Sequence, residues 1–366
     1  MEYKLLNRRE FVRGAIAIGL SVVPVAAGAE ILNYDADMPY RPLGTTGHHV
    51  SLLSMGGLVM VEPVYHYAIE RGLNFVDTSP SYRGGMAIRQ LGNVLQSKRA
   101  KVYVACKYHS YVPFEDNLRD LKTDYVDFIV FNHHDRESAL RNDDREVFEK
   151  LKRAGKVRFA ALMTHGDVKE VLASAIKSGM YSFVTPGLNQ PGLEAYDEEV
   201  RAARQRGVGV VAMKALRGIE DSTLQLALLK KLAANPAITS VLTSIGSYEL
   251  FDAYRKALQQ PLAAAEDHEL HAYAVENRAK NCMMCGRCQR ACPRSVDIST
   301  VLRSHDYYYV QLRDPGRALE TYRGLPVERL AGIDCGDCRR CEAVCPNGIP
   351  ILERMKSARE TFSRLA

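Results

Sequence analysis

Eight of the nine cysteines in this chain of 366 residues fall in two short runs that have the same spacing. Each run reads Cys-x2-Cys-x2-Cys-x3-Cys-Pro, the first over residues 282–293 and the second over residues 335–346. Four closely spaced thiols in one loop must share a metal centre or pair as disulfides. The two runs therefore constrain this part of the fold more strongly than any hydrophobic pattern does.

The spacing predicts two [4Fe-4S] clusters, because three thiolates separated by two residues each can hold three corners of a cubane from one tight loop. In two-cluster ferredoxins with this run, the fourth cysteine binds the other cluster. We therefore assign one cluster to Cys282, Cys285, Cys288 and Cys345, and the other to Cys335, Cys338, Cys341 and Cys292. Disulfides and zinc are the alternatives, although zinc sites pair two Cys-x2-Cys motifs and do not place a fourth thiolate before proline.

The composition is that of a globular protein, with 46% hydrophobic and 25% charged residues. The length exceeds the need of one ordinary domain, so we expect one large domain and a smaller one. Mean hydropathy is -0.20, and no apolar run is long enough to cross a bilayer comfortably. The formal net charge of +6 is not concentrated in a basic tail, so we expect no nucleic-acid partner.

The first 29 residues have the layout of a cleaved export signal. Arg8 and Arg9 are followed by Phe11, and a modestly apolar stretch over residues 14–29 ends in an Ala-x-Ala pattern. The paired arginines resemble the twin-arginine signal, which predicts passage through the twin-arginine export machinery to the periplasm or another exported location. An amphipathic helix or an uncleaved anchor is the alternative for this segment.

Short apolar runs alternate with amphipathic runs between residues 40 and 260. This alternation predicts an α/β protein with a parallel sheet, and eight strands in roughly 220 residues fit a (β/α)8 TIM barrel. An open doubly wound sheet is the alternative, which the lack of a Gly-x-Gly-x-x-Gly motif after a strand disfavours. The predicted strands are residues 50–55, 73–77, 102–106, 126–131, 157–162, 182–185, 208–213 and 240–243.

Polar side chains follow three of these strands, at the ends where barrel chemistry is found. Asp77 ends the second strand with Tyr82 in the loop after it, Lys107 ends the third strand, and Asn132 and His133 follow the fourth. A carbonyl that accepts a hydride needs a proton on its oxygen, and a buried lysine beside a tyrosine lowers the pKa of the phenol that would supply it. The carboxylate would keep the lysine charged and in place.

These motifs resemble those of the aldo-keto reductase family, over residues 39 to about 258. The matching segments are residues 40–51, 72–82, 88–92, 124–128 and 207–214. The resemblance implies a barrel that uses a nicotinamide cofactor, NADP or NAD, to interconvert small carbonyl and alcohol substrates. It also implies that Asp77, Tyr82 and Lys107 are the acid, the proton donor and the lysine of the family's catalytic tetrad.

Two parts of the implied site stay open at this point. The family's histidine falls on Asn132 when counted from Asp127, or on His133 if the strand end shifts by one residue. Met163 stands where the family often has a side chain that holds the nicotinamide amide. The implied cofactor contacts are Thr164, Asn189, Lys214, Ser244, Gly246 and Ser247.

The predicted domains are the signal over residues 1–29, the barrel over 39–260, a linker helix over 261–277 and an iron–sulfur domain over 278–366. The 42 residues between the cysteine runs exceed what a compact ferredoxin needs, and residues 298–312 and 317–322 have helical patterns. We therefore expect the second domain to be a smaller, mainly helical, ferredoxin-like unit.

Together these features predict an exported iron–sulfur oxidoreductase of the aldo-keto reductase type. Nicotinamide chemistry moves two electrons at once and each cluster moves one, so two clusters would relay electrons to or from a redox partner protein. One alternative is a non-enzymatic electron-transfer protein on a barrel that no longer binds nicotinamide. Another is a reductase barrel that works alone, with the clusters as structural clamps.

Overall fold

The computed structural model describes residues 31–134, 138–140, 142–311, 315–325 and 338–365. The predicted export signal and Cys335 lie outside these residues.

Eight parallel strands close into a barrel in the order β10-β3-β4-β5-β6-β7-β8-β9, which confirms the (β/α)8 fold and excludes the open sheet. An antiparallel hairpin, β1 (Tyr40–Pro42) and β2 (His49–Ser51), precedes the barrel. The predicted strand over residues 50–55 is therefore two strands, which separate at Leu52. The barrel strands are β3 (Leu53–Gly56), β4 (Phe75–Thr78), β5 (Tyr103–Lys107), β6 (Val126–Asn132), β7 (Val157–Thr164), β8 (Tyr181–Pro186), β9 (Gly209–Met213) and β10 (Ser240–Thr243).

Helices connect the strands and cover the outside of the barrel, as the alternating pattern predicts. Several begin or end at residues that favour helix termini: Asp221 caps one helix through two backbone N–H groups, and Gly179 ends another in the left-handed conformation. The helices of this part are α1 (Glu62–Ile69), α2 (Met86–Lys98), α3 (Phe114–Asp120), α4 (Asn142–Arg153), α5 (Val168–Ser178), α6 (Gln190–Ala195), α7 (Asp197–Gln205), α8 (Ser222–Ala234), α9 (Tyr248–Ala257) and α10 (Ala264–Asn277).

Aromatic side chains fill the inside of the barrel. Phe75, Phe128 and Phe183 are at most 1% exposed and meet edge to face, with ring centroids between 5.1 and 6.0 Å apart. The hairpin covers the end of the barrel where the strands begin, with Leu43 buried in the same cluster. The turn requires glycine at position 44, because its φ is 56° and a Cβ there would collide with the carbonyl oxygen of Ser182. Because the hairpin covers this end, we expect a functional site at the opposite end of the barrel, where the strands finish.

The C-terminal part is helical, as expected, with its own hydrophobic core that includes Val301, Met355 and Phe362. Its helices are α11 (Arg287–Arg290), α12 (Ile298–Asp306), α13 (Pro315–Arg323), α14 (Arg340–Ala343) and α15 (Ile351–Leu365), and residues Tyr307–Gln311 continue α12 as a wider turn. Within the described ranges, no helix combines the length and the apolar character needed to span a membrane.

Replacing Phe128 with alanine should destabilise the barrel by about 3–5 kcal/mol, because it leaves a cavity among rings that cannot close it. Urea unfolding followed by far-UV circular dichroism measures this change. Tyr111→Ala is the control. Tyr111 is 71% exposed, so its replacement should change the free energy of unfolding only slightly. Equal losses for the two variants would contradict the packing of the barrel interior.

Candidate functional site

A cavity of about 700 Å³ lies at the end of the barrel where the strands finish. Its walls come from the strand ends, from the loop after β9 and from the region around Ser244. Residues of the C-terminal domain form the remaining wall, so the cavity lies between the two domains. Its polar lining includes Asp77, Tyr82, Lys107, His109, Asn132, His165, Lys214, Arg217, Ser244, Arg303, Tyr307 and Arg317.

Three of the predicted catalytic residues meet at this cavity. Lys107, at the end of β5, forms a buried ion pair with Asp77 on the neighbouring strand β4. The ammonium nitrogen of Lys107 also lies 4.6 Å from the centroid of the Tyr82 ring. Parallel register brings the two strand ends together, because Asp77 pairs with Ala105, two residues before Lys107.

The protonation states of this triad follow from burial and from mutual attraction. Burial opposes the charge on Lys107, but the Asp77 carboxylate and the Tyr82 phenol outweigh it and raise the pKa of Lys107. Burial also raises the pKa of Asp77 and of Tyr82, and in both cases Lys107 acts in the opposite direction. The lysine thus lowers the pKa of the phenol as expected, yet burial in the free protein has the larger effect. Tyr82 is held as a neutral proton donor.

The structure distinguishes the two candidates for the fourth position. Asn132 ends β6 and lines the cavity. His133 does not line it, because its Nε2 is hydrogen-bonded to the carboxylate of Asp144 in α4. The alternative that placed His133 beside the substrate is therefore corrected, since successive residues at a strand end point to opposite sides.

Two histidines at the cavity were missed by the sequence reasoning. The Nε2 atom of His109, in the loop after β5, lies 3.0 Å from the hydroxyl of Ser79, and burial together with Lys107 and Arg317 lowers the pKa of His109 to about 4. His165 follows β7, and its buried Nδ1 has no hydrogen-bond partner among the described residues. Both come directly after barrel strands, so the rule that identified Lys107 applies to them as well.

The predicted cofactor contacts are dispersed. Lys214 and Ser244 line the cavity. Thr164 does not, because its hydroxyl donates to the carbonyl of Gly166, and Asn189 instead donates to the carbonyl of Cys282, 2.9 Å away. Ser247 caps α9 by accepting from the N–H of Leu250.

Gly246, immediately before this cap, also lies outside the cavity lining. Thr164, Asn189, Gly246 and Ser247 thus lie outside the lining of the cavity, and their contacts with a cofactor stay a prediction.

Two of the polar contacts between the C-terminal domain and the cavity rim involve the loop after β9. The ammonium group of Lys214 donates to the hydroxyl of Tyr307 over 2.7 Å. Arg217 forms an ion pair with Asp306, and both side chains are 4% exposed. Burial lowers the pKa of Lys214 to about 8, whereas Lys214 and Arg303 overcome the effect of burial on Tyr307 and lower its pKa to about 8. The two loops after β9 and α12 thus form one polar wall.

Four cysteines surround a second, smaller cavity: Cys282, Cys285, Cys288 and Cys345. These are the four thiols that the sequence assigns to one cluster, with the last contributed by the other run. Leu302, Ile349 and Ile351 supply apolar walls. A soft, thiol-only donor set in an apolar pocket fits a [4Fe-4S] cluster.

Of the four cysteines assigned to the second cluster, the structure describes three. Cys292 and Cys341 belong to the core of the C-terminal domain, Cys338 is exposed, and Cys335 lies outside the described residues. The helix pairs α11–α14 and α14–α15 pack together, so the two runs are adjacent, as shared ligation requires. The ninth cysteine, Cys106, is fully buried in β5, far from both runs in sequence.

Crossed ligation predicts how iron is lost when cysteines are removed. Cys288→Ala and Cys345→Ala should each remove the same cluster, and the double variant should lose no more iron than either single variant, about half of the total. Iron analysis and electron paramagnetic resonance of anaerobically prepared protein measure this. Cys106→Ala is the matched control and should retain all iron. Loss of both clusters in the double variant only would contradict crossed ligation.

Comparisons with known proteins agree with this geometry. The pattern of the aldo/keto reductase family matches residues 60–222, and that of a 4Fe-4S dicluster domain matches residues 247–297. An L-galactose dehydrogenase from Arabidopsis thaliana is 30% identical over 152 residues, which span 33% of this chain and 47% of that relative. The chain thus matches about half the length of this curated relative.

Solved structures share the barrel. An aldo-keto reductase from Bacillus halodurans in its holo form has a TM-score of 0.55 at 20% identity, covering 64% of this chain and 96% of that one. An aldo-keto reductase from Klebsiella pneumoniae in complex with NADPH has a TM-score of 0.52 at 19% identity, covering 63% and 93%. The chain therefore has the barrel fold of these reductases, and successive segments of it are similar to the aldo/keto reductase family and to a 4Fe-4S dicluster domain.

Proposed function

We propose that this protein is an oxidoreductase that uses a nicotinamide cofactor to interconvert a carbonyl compound and an alcohol, with electrons relayed through two [4Fe-4S] clusters. The observation that carries the proposal is the buried Asp77–Lys107 pair beside Tyr82 at the mouth of the barrel. The aldo-keto reductase from Klebsiella pneumoniae, whose structure contains NADPH, has the same barrel fold, which supports the same activity.

The cavity fits a nicotinamide cofactor in size and in lining. Asn132, Ser244 and Lys214 line the cavity, as does His165, whose buried Nδ1 has no partner among the described residues. A nicotinamide held there supplies or accepts the hydride. Met163 and Met213 offer apolar surface beside these polar groups.

The residues of the chain move and control the proton. In the reducing direction Tyr82 gives its phenolic proton to the substrate oxygen, and in the oxidising direction it takes that proton back. Lys107 stabilises the phenolate formed in the first case, because its charge lies next to the ring. Asp77 keeps Lys107 charged and fixes its position, and Asn132 orients the substrate oxygen by a hydrogen bond.

One helix separates the two cavities, which supports the relay. On α12, Leu302 lines the cavity of the cysteines and Arg303 lines the cavity of Tyr82. An α-helix with its side chains is roughly 10 Å across, so a cluster bound by the cysteines lies close to the reacting atoms. A cluster transfers single electrons, so it couples the two-electron chemistry of the barrel to a one-electron redox partner.

A second candidate function is electron transfer without carbonyl chemistry. It is favoured by the contacts of Lys214 and Arg217 with Tyr307 and Asp306, because these cations are then already engaged and not available to cofactor phosphates. Cofactor binding separates the two candidates.

We also propose that the protein is exported by the twin-arginine route, on the basis of Arg8, Arg9 and the apolar segment after them. This route carries folded proteins that have already acquired their cofactors, which suits a protein with two clusters.

Titration of the cluster-loaded protein with NADPH or NADH should change nicotinamide fluorescence and bleach the visible cluster absorbance in the same experiment. Tyr82→Phe should bind the cofactor with unchanged affinity but reduce an aldehyde such as 4-nitrobenzaldehyde about 100-fold more slowly, because the proton donor is lost. Tyr65→Phe is the control, since the buried Tyr65 hydroxyl has no partner among the described residues. Absence of any response to either cofactor would favour the electron-transfer candidate.

Export is tested by replacing Arg8 and Arg9 with lysine in the full chain. The variant should accumulate in the cytoplasm with its first 29 residues intact, whereas the unchanged chain should appear outside it in the shorter form. Cell fractionation with mass spectrometry of the N-terminus gives the result. Equal distribution of the two forms would contradict the proposal.

A further inference from the structure

The cavity at the mouth of the barrel has an excess of cationic side chains. Five of them line it, Lys107, Lys214, Arg217, Arg303 and Arg317, against two lining carboxylates, Asp77 and Glu220. Asp77 pairs with Lys107, while Asp306 and Glu320 pair with Arg217 and Arg317. Arg303 has no carboxylate within ion-pair distance in the part of the chain that the structure describes.

Among the described residues, the hydrogen bonds of the Arg303 guanidinium are long. Its guanidinium nitrogens lie 3.4 Å from Nε2 of His134 and 3.4 Å from the hydroxyl of Thr300. Burial lowers the pKa of Arg303. Its positive charge in the cavity therefore carries a free-energy cost of desolvation, which a bound anion would offset.

Arg317 brings a second guanidinium to the catalytic end. Its Cζ lies 5.6 Å from the centroid of the Tyr82 ring, and its Nη1 lies 3.4 Å from the hydroxyl of Ser81. Both arginines belong to the C-terminal domain, on α12 and α13, and reach the barrel cavity from the side opposite its strands. An anion held by Arg317 lies next to Tyr82, which is the place of the substrate and not of remote cofactor phosphates. Arg303 is close enough to Arg317 and Tyr307 for their charges to act on its pKa.

We propose that the substrate is a carbonyl or alcohol compound that carries a carboxylate or phosphate group, and that Arg303 and Arg317 of the iron–sulfur domain hold this anion. The inference rests on the proposed function and narrows its substrate class. It assigns to the second domain a part in substrate selection in addition to holding the clusters. Arginine suits the role, because its planar group makes paired, charge-assisted hydrogen bonds to these anions.

The test measures binding, so that it does not depend on turnover. The cluster-loaded full chain is titrated calorimetrically with 4-carboxybenzaldehyde and with its uncharged methyl ester, then with glyceraldehyde 3-phosphate and with glyceraldehyde. We expect the charged member of at least one pair to bind about tenfold more tightly than its neutral partner. The pair that shows the preference identifies the anion as carboxylate or phosphate.

Variants identify the residues responsible. Arg303→Gln and Arg317→Gln should each weaken binding of the charged compound about tenfold and leave the neutral one unchanged, while Arg303→Lys should retain part of the preference. Arg323→Gln, an exposed position on the same helix as Arg317, is the control and should change nothing. Thermal unfolding and cluster absorbance verify that each variant is folded.

Four results would overturn the inference. Three are equal binding of charged and neutral compounds, no binding of either pair, and a preference that both glutamine variants retain. If the variants weaken NADPH binding instead, the arginines serve the cofactor and the substrate assignment is wrong. Failure of the proposed function is seen separately, as loss of nicotinamide binding by the unchanged protein.

Discussion

The buried ion pair between Arg217 and Asp306 holds the two parts of the molecule together at the point where the chemistry is placed. Arg217 lies in the loop after β9 of the barrel, and Asp306 ends α12 of the iron–sulfur domain. Breaking a buried pair by removing one partner leaves an unpaired charge and costs several kcal/mol, typically about 3–5. The neighbouring hydrogen bond from Lys214 to Tyr307 also joins the two domains. The iron–sulfur domain therefore covers part of a cavity that the barrel alone would leave open.

Burial determines the electrostatics of Asp77, Tyr82 and Lys107. Lys107 and Asp77 are 3% and 6% exposed, so each would be costly to keep charged alone, and together they remain an ion pair. The same burial keeps the Tyr82 phenol neutral in the absence of ligand. This arrangement suits the proton transfer proposed for Tyr82, because charge would develop on the phenol only where the neighbouring lysine can stabilise it.

The barrel and the proximity of Asp77, Tyr82 and Lys107 could be predicted from the sequence, because they depend on the order of strands along the chain. Strand ends in a parallel barrel converge, so Asp77 and Lys107 are placed together by the fold class alone. The sequence could not decide whether Asn132 or His133 faces the cavity. Adjacent side chains point to opposite sides, so an uncertainty of one residue in the strand end exchanges the two. Asn189 could not be placed, because it contacts the carbonyl of Cys282, 93 residues further along the chain. Contacts between domains leave no periodic pattern in the sequence from which they could be predicted.

The same absence of a local signal explains why the second domain's share in the cavity was not foreseen. Residues 298–311 look like a helix that connects two cysteine runs, and nothing in their pattern assigns Arg303 to one side and Leu302 to another. In the structure this single segment forms the wall between the cluster pocket and the catalytic cavity. One helix therefore carries Leu302 beside the four cysteines and Arg303 at the cavity of the barrel, an arrangement that only the folded structure reveals.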